Sequence, residues 1–369
     1  MLNLAISSPR EAGFDEEMFS RVSGLLNAAV EKKEIPGAVA AVARHGRIVL
    51  LRAFGAAALY PSPRAVEVNT LYDLASLTKV VATLPVILGL LEDGLFRLDD
   101  PVALFLPEFA VNGKDRISLR QILSHTSGLT SWRDYRHYNS YQEILEAICQ
   151  ETPDVQPGTK IIYSDLGFIL LTEVVRSLTG KTLDLLAQER IFSPLGMDDT
   201  FFCPPKAERS RTAATEYHEE RRIYLCGEVH DDNASVLGGV SGHAGLFSTA
   251  QALLLYGQTW LNGGFLPGRG RILSSATVTA AISEQALFQG ERRGLGWVLK
   301  SCASSSAGDL FSSEAYGHTG FTGTSLWIDP HLDLVAVLLT NRVHPSRKNT
   351  SILRLRPLFH NLLAAAVID

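Results

Sequence analysis

Apolar residues recur along this chain in two different periods, and the changes of period mark out the elements. Met18, Val22, Leu25, Leu26 and Ala29 fall three or four apart ahead of the stop Ile35-Pro36-Gly37, which predicts an amphipathic helix over about residues 15–33. The runs AVAAVA (residues 38–43) and IVLLRAF (48–54) then flank Arg44-His45-Gly46-Arg47, an antiparallel hairpin in which Gly46 supplies a positive φ. Far downstream, TSLWIDP (324–330) and LDLVAVLLTN (332–341) predict a second hairpin. ILRLRPLFHNLLAAAV predicts a closing helix whose continuity Pro357 opposes. Residues of about 75–265 carry mainly helical patterns joined by Gly/Pro/Asp loops, as in 169–178 and 250–261, with no internal repeat or low-complexity linker.

The economical architecture is an α+β fold: an antiparallel sheet built from both chain ends and flanked by helices, with a mainly helical lobe inserted. Residues 1–369 then form one domain, its α/β lobe from about 1–74 and 266–369 and its helical lobe from about 75–265. A cleft between the lobes is the natural ligand site.

Composition narrows the partners. The 369 residues are 46% hydrophobic with a net charge of −5, and no basic run offers a surface for nucleic acid. The longest apolar run, VVATLPVILGLL (80–91), stops at Glu92 and Asp93, short of the roughly 18–20 residues of a membrane span. MLNLAISSPREAGFDEEMF has no charged start followed by an apolar stretch, so the expected location is the cytoplasm. Cys149, Cys203, Cys226 and Cys302 are scattered without metal-ligand spacing, which reads as reduced, structural thiols.

Chemistry enters with YDLASLTKVVATLP, where Ser76 and Lys79 stand three apart at the start of a helical run that Gly94 ends. Position i+3 puts the amine beside the hydroxyl, and desolvation among Val80, Val81 and Leu84 can lower the lysine pKa enough for it to act as a base. The helix start also offers free N–H groups to a developing oxyanion. Alone, the same pair occurs often by chance and reads more readily as a capping serine and a surface lysine. Two further motifs follow in order: Tyr163-Ser164-Asp165 in GTKIIYSDLGF at the entry to a helix, and His318-Thr319-Gly320 in YGHTGFTGTSLW before a strand.

These three motifs resemble those of the serine β-lactamase and penicillin-binding-protein family, in its branch of class C β-lactamases, D-alanyl-D-alanine carboxypeptidases and esterases. IPGAVAAVARHGRIVLLRAFG, LDDPVALFLPEF, ISLRQILSHTSGL, IFSPLGMDDTFF and GGVSGHAGLFSTA look like further landmarks, so the resemblance covers nearly the whole chain. It implies that Ser76 is acylated, that Lys79 is its base or proton relay and that Tyr163 shuttles the leaving group's proton. It also implies that Thr319 and Gly320 line the substrate edge and that the N–H groups of Ser76 and Phe321 form the oxyanion hole. No cofactor or metal is implied.

The chain departs from the pattern twice. Asp165 stands where the family usually has asparagine; an acceptor-only carboxylate there could pair with Lys79, raise its pKa and move the base role toward Tyr163. His318 stands where β-lactam-hydrolysing members have lysine, so carboxylate recognition should follow a histidine pKa of about 6.5. Both argue against efficient β-lactam hydrolysis. The expectation is a serine acyl hydrolase acting on small esters, or on D-amino-acid or muropeptide amides. The alternative is a non-catalytic penicillin sensor or scaffold, which a lost catalytic residue would signal; none is lost.

His125 in SHTSGL reads as structural, satisfied by a loop carbonyl. His230, Asp231, Asp232 and His243 cluster in EVHDDNA and SGHAG with spacing that fits no metal pattern, and read as loops lining the cleft. Trp132, Tyr135 and Tyr138 read as a loop near the cleft, and the absence of G-x-S-x-G weighs against an α/β-hydrolase elbow.

Overall fold

The computed structural model describes residues 4–138, 140–302 and 304–368. Asp15 opens the first helix by accepting the Met18 N–H at 2.8 Å, and α1 (Glu16–Glu31) buries Phe19, Val22, Leu26 and Ala29, the stripe its spacing predicts. Four further helices position the site: α2 (Leu84–Glu92), α3 (Asp165–Thr179), α4 (Ala250–Leu261) and α5 (Ile352–Ala365).

The N-terminal part supplies β1 (Ala5–Ile6), β2 (Gly37–Arg44) and β3 (Arg47–Ala58). His45 and Gly46 between the last two stand at φ +51° and +66°, the two left-handed positions that a tight hairpin of twisted strands needs. The sequence assigned that conformation to Gly46 alone. The C-terminal part supplies β4 (Ala286–Phe288), β5 (Glu291–Arg293), β6 (Val298–Leu299), β7 (Tyr316–Thr319), β8 (Ser325–Asp329) and β9 (Leu334–Thr340). Their order is β1-β3-β2-β9-β8-β7-β6-β5-β4, with β1 parallel to β3 and the rest antiparallel. The chain ends meet at its centre, Ala38 opposite Thr340 and Arg44 opposite Leu334.

Val39, Ala41 and Ala43 of β2 enter the core on one face of the sheet, and Ala38, Ala40 and Val42 the core on the other; β9 divides in the same way. A sheet covered on both faces has no solvent side, which is why these strands read as unbroken apolar runs. α1 and α5 cover one face. α4 lies on the other, so close that a side chain at Gly257 would meet Val335 and Leu326.

The break expected at Pro357 does not occur, and α5 runs through it. The missing N–H deprives only the carbonyl of exposed Leu353, while Leu355, Phe359 and Leu363 pack on the sheet. The apolar segment before and within α2 is also longer than its composition suggested: Ala75–Glu92 is 18 residues of helix, long and apolar enough to cross a membrane. It is 78% buried inside the protein, as a core element is.

Candidate active site

The chain around Ser76 is not the regular helix that its sequence predicts. Ala75–Leu77 form a 3-10 turn, Lys79–Thr83 a π-turn, and only then does α2 begin. Pro85 explains the widening: it has no N–H for the α-helical bond to Val81, and the Leu84 N–H reaches back five residues to the Lys79 carbonyl. The Tyr256 hydroxyl of α4 donates to the Val80 carbonyl. Side chains three apart eclipse in a 3-10 turn, so the Ser76–Lys79 pairing survives the change of helix type.

Asp73, which the sequence reading passed over, holds the turn in place. Its Oδ1 accepts the Ala75 N–H at 2.8 Å and its Oδ2 the His230 N–H at 2.6 Å, keeping Ala75 at φ +47°, a left-handed position unfavourable for a residue with a Cβ. The Ser76 N–H lies in the first turn, where backbone donors have no helical acceptor.

Lys79 is fully buried. Its Nζ donates to Ser76 Oγ at 3.1 Å, to Asp165 Oδ1 at 2.6 Å and to the His243 carbonyl at 3.0 Å. Those are the three donors of an ammonium group. Burial by itself would lower the lysine pKa, as the sequence reading supposed, but the charge of Asp165 and the nearby Tyr163 outweigh it and the pKa stands above its ordinary value. The expectation of a desolvated, acidified lysine is therefore corrected; the pairing with Asp165 is present as anticipated.

Tyr163 lies between cations, with Lys79 Nζ 4.9 Å and Arg293 Cζ 5.5 Å from its ring centroid. Its hydroxyl is buried within electrostatic reach of Lys79 and Ser76 but makes no hydrogen bond at rest. Burial raises its pKa more than Lys79 lowers it, so the resting group is a neutral phenol.

His318 is opposite Leu326 on the sheet face that carries the larger core. It is 3% exposed, its Nδ1–H donates to the Thr319 carbonyl at 2.8 Å, and its ring centroid is 5.9 Å from that of Tyr163. Burial, with Arg293 and Lys79 close by, holds its pKa well below 6.5. The expected switch to a cation near pH 6 is thus overturned. His125 is structural, but through a different bond from the one expected: its Nδ1 accepts the Ser164 N–H at 3.1 Å instead of donating to a carbonyl.

The Asp231–His243 region is a brace. Asp231 Oδ1 caps the Ala234 N–H and meets His243 Nε2 at 2.8 Å, fixing the residue whose carbonyl holds Lys79. His230 meets Glu216 at 3.1 Å, and Asp232 lies 3.7 Å from Arg347. Among the described residues no group of three or more His, Cys, Asp or Glu side chains is arranged to hold a metal. Tyr135 is buried and Trp132 exposed, and neither lines the cleft that holds Ser76.

That cleft, of about 540 Å³, is lined by Ser76, Tyr163, His318, Thr319, Gly320 and half-exposed Phe321, with Arg293, Arg342 and Arg356 around them. Lys79 and Asp165 stand behind its wall. A larger groove of about 780 Å³ lies among Tyr138, Glu143, Glu146 and Glu151 and contains none of the three motifs. The arginines were missed because nothing in their local sequence distinguishes them from surface cations.

The Beta-lactamase family model matches residues 22–358. The chain belongs to the Beta-lactamase family. Within this family, an Escherichia coli K12 protein named "Putative D-alanyl-D-alanine carboxypeptidase" is 34% identical over 380 residues, 92% of this chain and 86% of the relative. A protein of the same name from Salmonella typhi is 34% identical over 388 residues, 95% of this chain and 88% of the relative. Solved structures of the same fold include EstCE1, a hydrolase with promiscuous acyltransferase activity, at TM-score 0.76 and 23% identity, covering 94% of this chain and 99% of that one. A class C beta-lactamase mutant superposes at TM-score 0.74 and 20% identity over 92% of this chain and 97% of that one. This member of the Beta-lactamase family is a serine hydrolase with a β-lactamase/transpeptidase-like fold.

Proposed function

We propose that this serine hydrolase is a carboxypeptidase that removes a D-amino acid with a free carboxylate from small peptides, through an acyl-enzyme on Ser76. Arg293 carries the reading. It is 7% exposed and lines the cleft beside Ser76; Glu291 engages its Nε and Nη2, while its Nη1 is buried with no partner. A buried donor without an acceptor is unfavourable unless a ligand supplies one. Tyr163, the leaving group's proton donor in this scheme, lies under the same guanidinium. A leaving amine that departs past Tyr163 carries its α-carboxylate toward Arg293, which replaces the cation that His318 does not provide. The names of the Escherichia coli and Salmonella relatives agree with this substrate class.

In the proposed cycle Lys79, once deprotonated, accepts the Ser76 proton as Oγ attacks the carbonyl. The N–H groups of Ser76 and Phe321 hold the oxyanion. The neutral Tyr163 phenol protonates the departing nitrogen and regains its proton through Lys79, and water then releases the acid.

The test compares an N-acetylated D-alanyl-D-alanine peptide with its C-terminal amide, for the parent and Arg293→Gln. A charge-assisted hydrogen bond contributes about 1.5–3 kcal/mol, so the variant should lose about 10- to 150-fold in kcat/KM on the acid and little on the amide. Equal losses on both, or turnover of p-nitrophenyl esters with none of either peptide, would favour an esterase.

A further inference from the structure

At the edge of the Ser76 cleft, beside the strand that carries His318, lies a charge with no counter-charge among the described residues. Arg356 of α5 is 5% exposed; its Nη2 donates to the Gly320 carbonyl at 2.7 Å and the Thr324 carbonyl at 2.8 Å, while its Nε is buried without a partner. No carboxylate forms an ion pair with it among the described residues, and the charge that acts on it is another cation, Arg342, whose Nε donates to the Phe321 carbonyl at 2.7 Å. A buried guanidinium opposed by a like charge is costly to keep.

Its position gives a reason for keeping it. The Gly320 carbonyl and the Phe321 N–H belong to one peptide unit. A cation hydrogen-bonded to an amide oxygen draws electron density from the nitrogen and strengthens the N–H as a donor. The turn 320–324 is also stitched to the nucleophile's turn: Thr322 Oγ1 donates to the Asp73 carbonyl at 2.7 Å and Thr324 Oγ1 to the Leu74 carbonyl at 3.0 Å. Gly320 sits so close to Leu74 that a Cβ would collide with its carbonyl. The two N–H groups assigned to the oxyanion are therefore held in one rigid frame, with Arg356 at its back.

We propose that Arg356 is a positioning residue of the oxyanion hole: it polarises the Gly320–Phe321 peptide and leaves a positive field that only the tetrahedral oxyanion completes. The proposal rests on the Ser76 acyl-enzyme reading and adds a residue to it. Such a field acts on the transition state and hardly on the bound substrate.

The experiment measures inhibition by phenylboronic acid, which forms an anionic tetrahedral adduct with a nucleophilic serine, beside kcat and KM on p-nitrophenyl acetate. The proteins are the parent, Arg356→Met, Arg356→Gln and Arg356→Lys. Loss of one oxyanion donor costs about 10²–10³ in kcat, and a group that strengthens such a donor should account for less. The expected result for Met and Gln is a 10- to 100-fold fall in kcat with KM nearly unchanged, and boronate inhibition weakened by the same factor. Lysine, which keeps the charge, should recover part of both. Folded Met and Gln variants with parental boronate inhibition would overturn the proposal, as would a failure of all three variants to fold, since Arg356 would then be a structural clamp. Ser76→Ala tells the two readings apart: boronate inhibition that persists in it overturns the acyl-enzyme assignment itself.

Discussion

Asp165→Asn is the substitution on which the proton chemistry turns. With its three donors engaged, the Lys79 ammonium must lose a proton before it can accept one from Ser76. Releasing it to water at pH 7 from a reference lysine pKa of about 10.4 costs about 5 kcal/mol. The Asp165 carboxylate holds the ammonium against that loss and so acts as a clamp on it. At 2.6 Å and an effective dielectric constant of about 20 the pair attracts by about 6 kcal/mol before desolvation is subtracted, and the usual net effect of such a neighbour is about 1–3 pKa units. Asparagine removes that charge. The free-amine fraction at pH 7 should rise about 10- to 1,000-fold, and acylation with it.

The assay is the second-order rate of Ser76 acylation by p-nitrophenyl acetate from pH 5 to 10, where the variant's rising limb should move about 1–3 units toward acid. Stability follows the same charge. The Lys79 pKa is raised in the folded parent, so the pair's contribution is complete below the unfolded value of about 10.4 and is lost as pH climbs through the folded one. In the variant the folded pKa falls, and stability drops toward acid pH instead; melting curves at pH 6 and 9 read the difference. A variant that acylates more slowly than the parent at every pH would refute the clamp and put Asp165 on the proton path.

Two other outcomes can be checked on the same proteins. Lys79→Ala should slow acylation about 10²- to 10⁴-fold, the range of general-base contributions, and single-turnover labelling by a fluorophosphonate measures it. Because His318 and His125 are both held neutral, KM for the acid peptide should show no histidine step between pH 5.5 and 8. His318→Lys should lower stability and fail to speed labelling by a fluorescent penicillin, since its ammonium would enter a buried position already facing Lys79 and Arg293.

The parts of the fold legible from sequence were those in which one periodicity governs a whole element. The 3–4 spacing of α1, the apolar runs of β2, β3, β8 and β9 and the motif order all led to an α+β sheet closed by both chain ends. What sequence could not supply was direction and depth. Lys79 lies in an apolar run in either case, but only the structure shows Asp165 at its Nζ and the consequent rise in pKa. His318 stood where a titrating, substrate-facing group was expected because burial at a cleft wall depends on what packs across from it. Arg293 and Arg356 look like ordinary cations in sequence; what sets them apart is a nitrogen with no acceptor, a property of three-dimensional neighbours. The π-turn could have been anticipated from Pro85, six residues after Lys79, had its missing N–H been counted.

The pairing of β2 with β9 joins residues some 300 positions apart, Ala38 with Thr340, and Arg356 and the 320–324 turn are about as far along the chain from α1. Contacts of such sequence separation form late in folding, because long loops must close before anything rewards the closure. During synthesis the nucleophile's turn, the Tyr163 loop and the helical layer therefore leave the ribosome well before the strand that completes the cleft. Until β9 and α5 have followed, the sheet lacks its centre and the 320–324 turn lacks its bonds from Thr340 and Arg356. Reactivity toward an acylating probe should therefore reach its full value only when the last tenth of the sequence has docked.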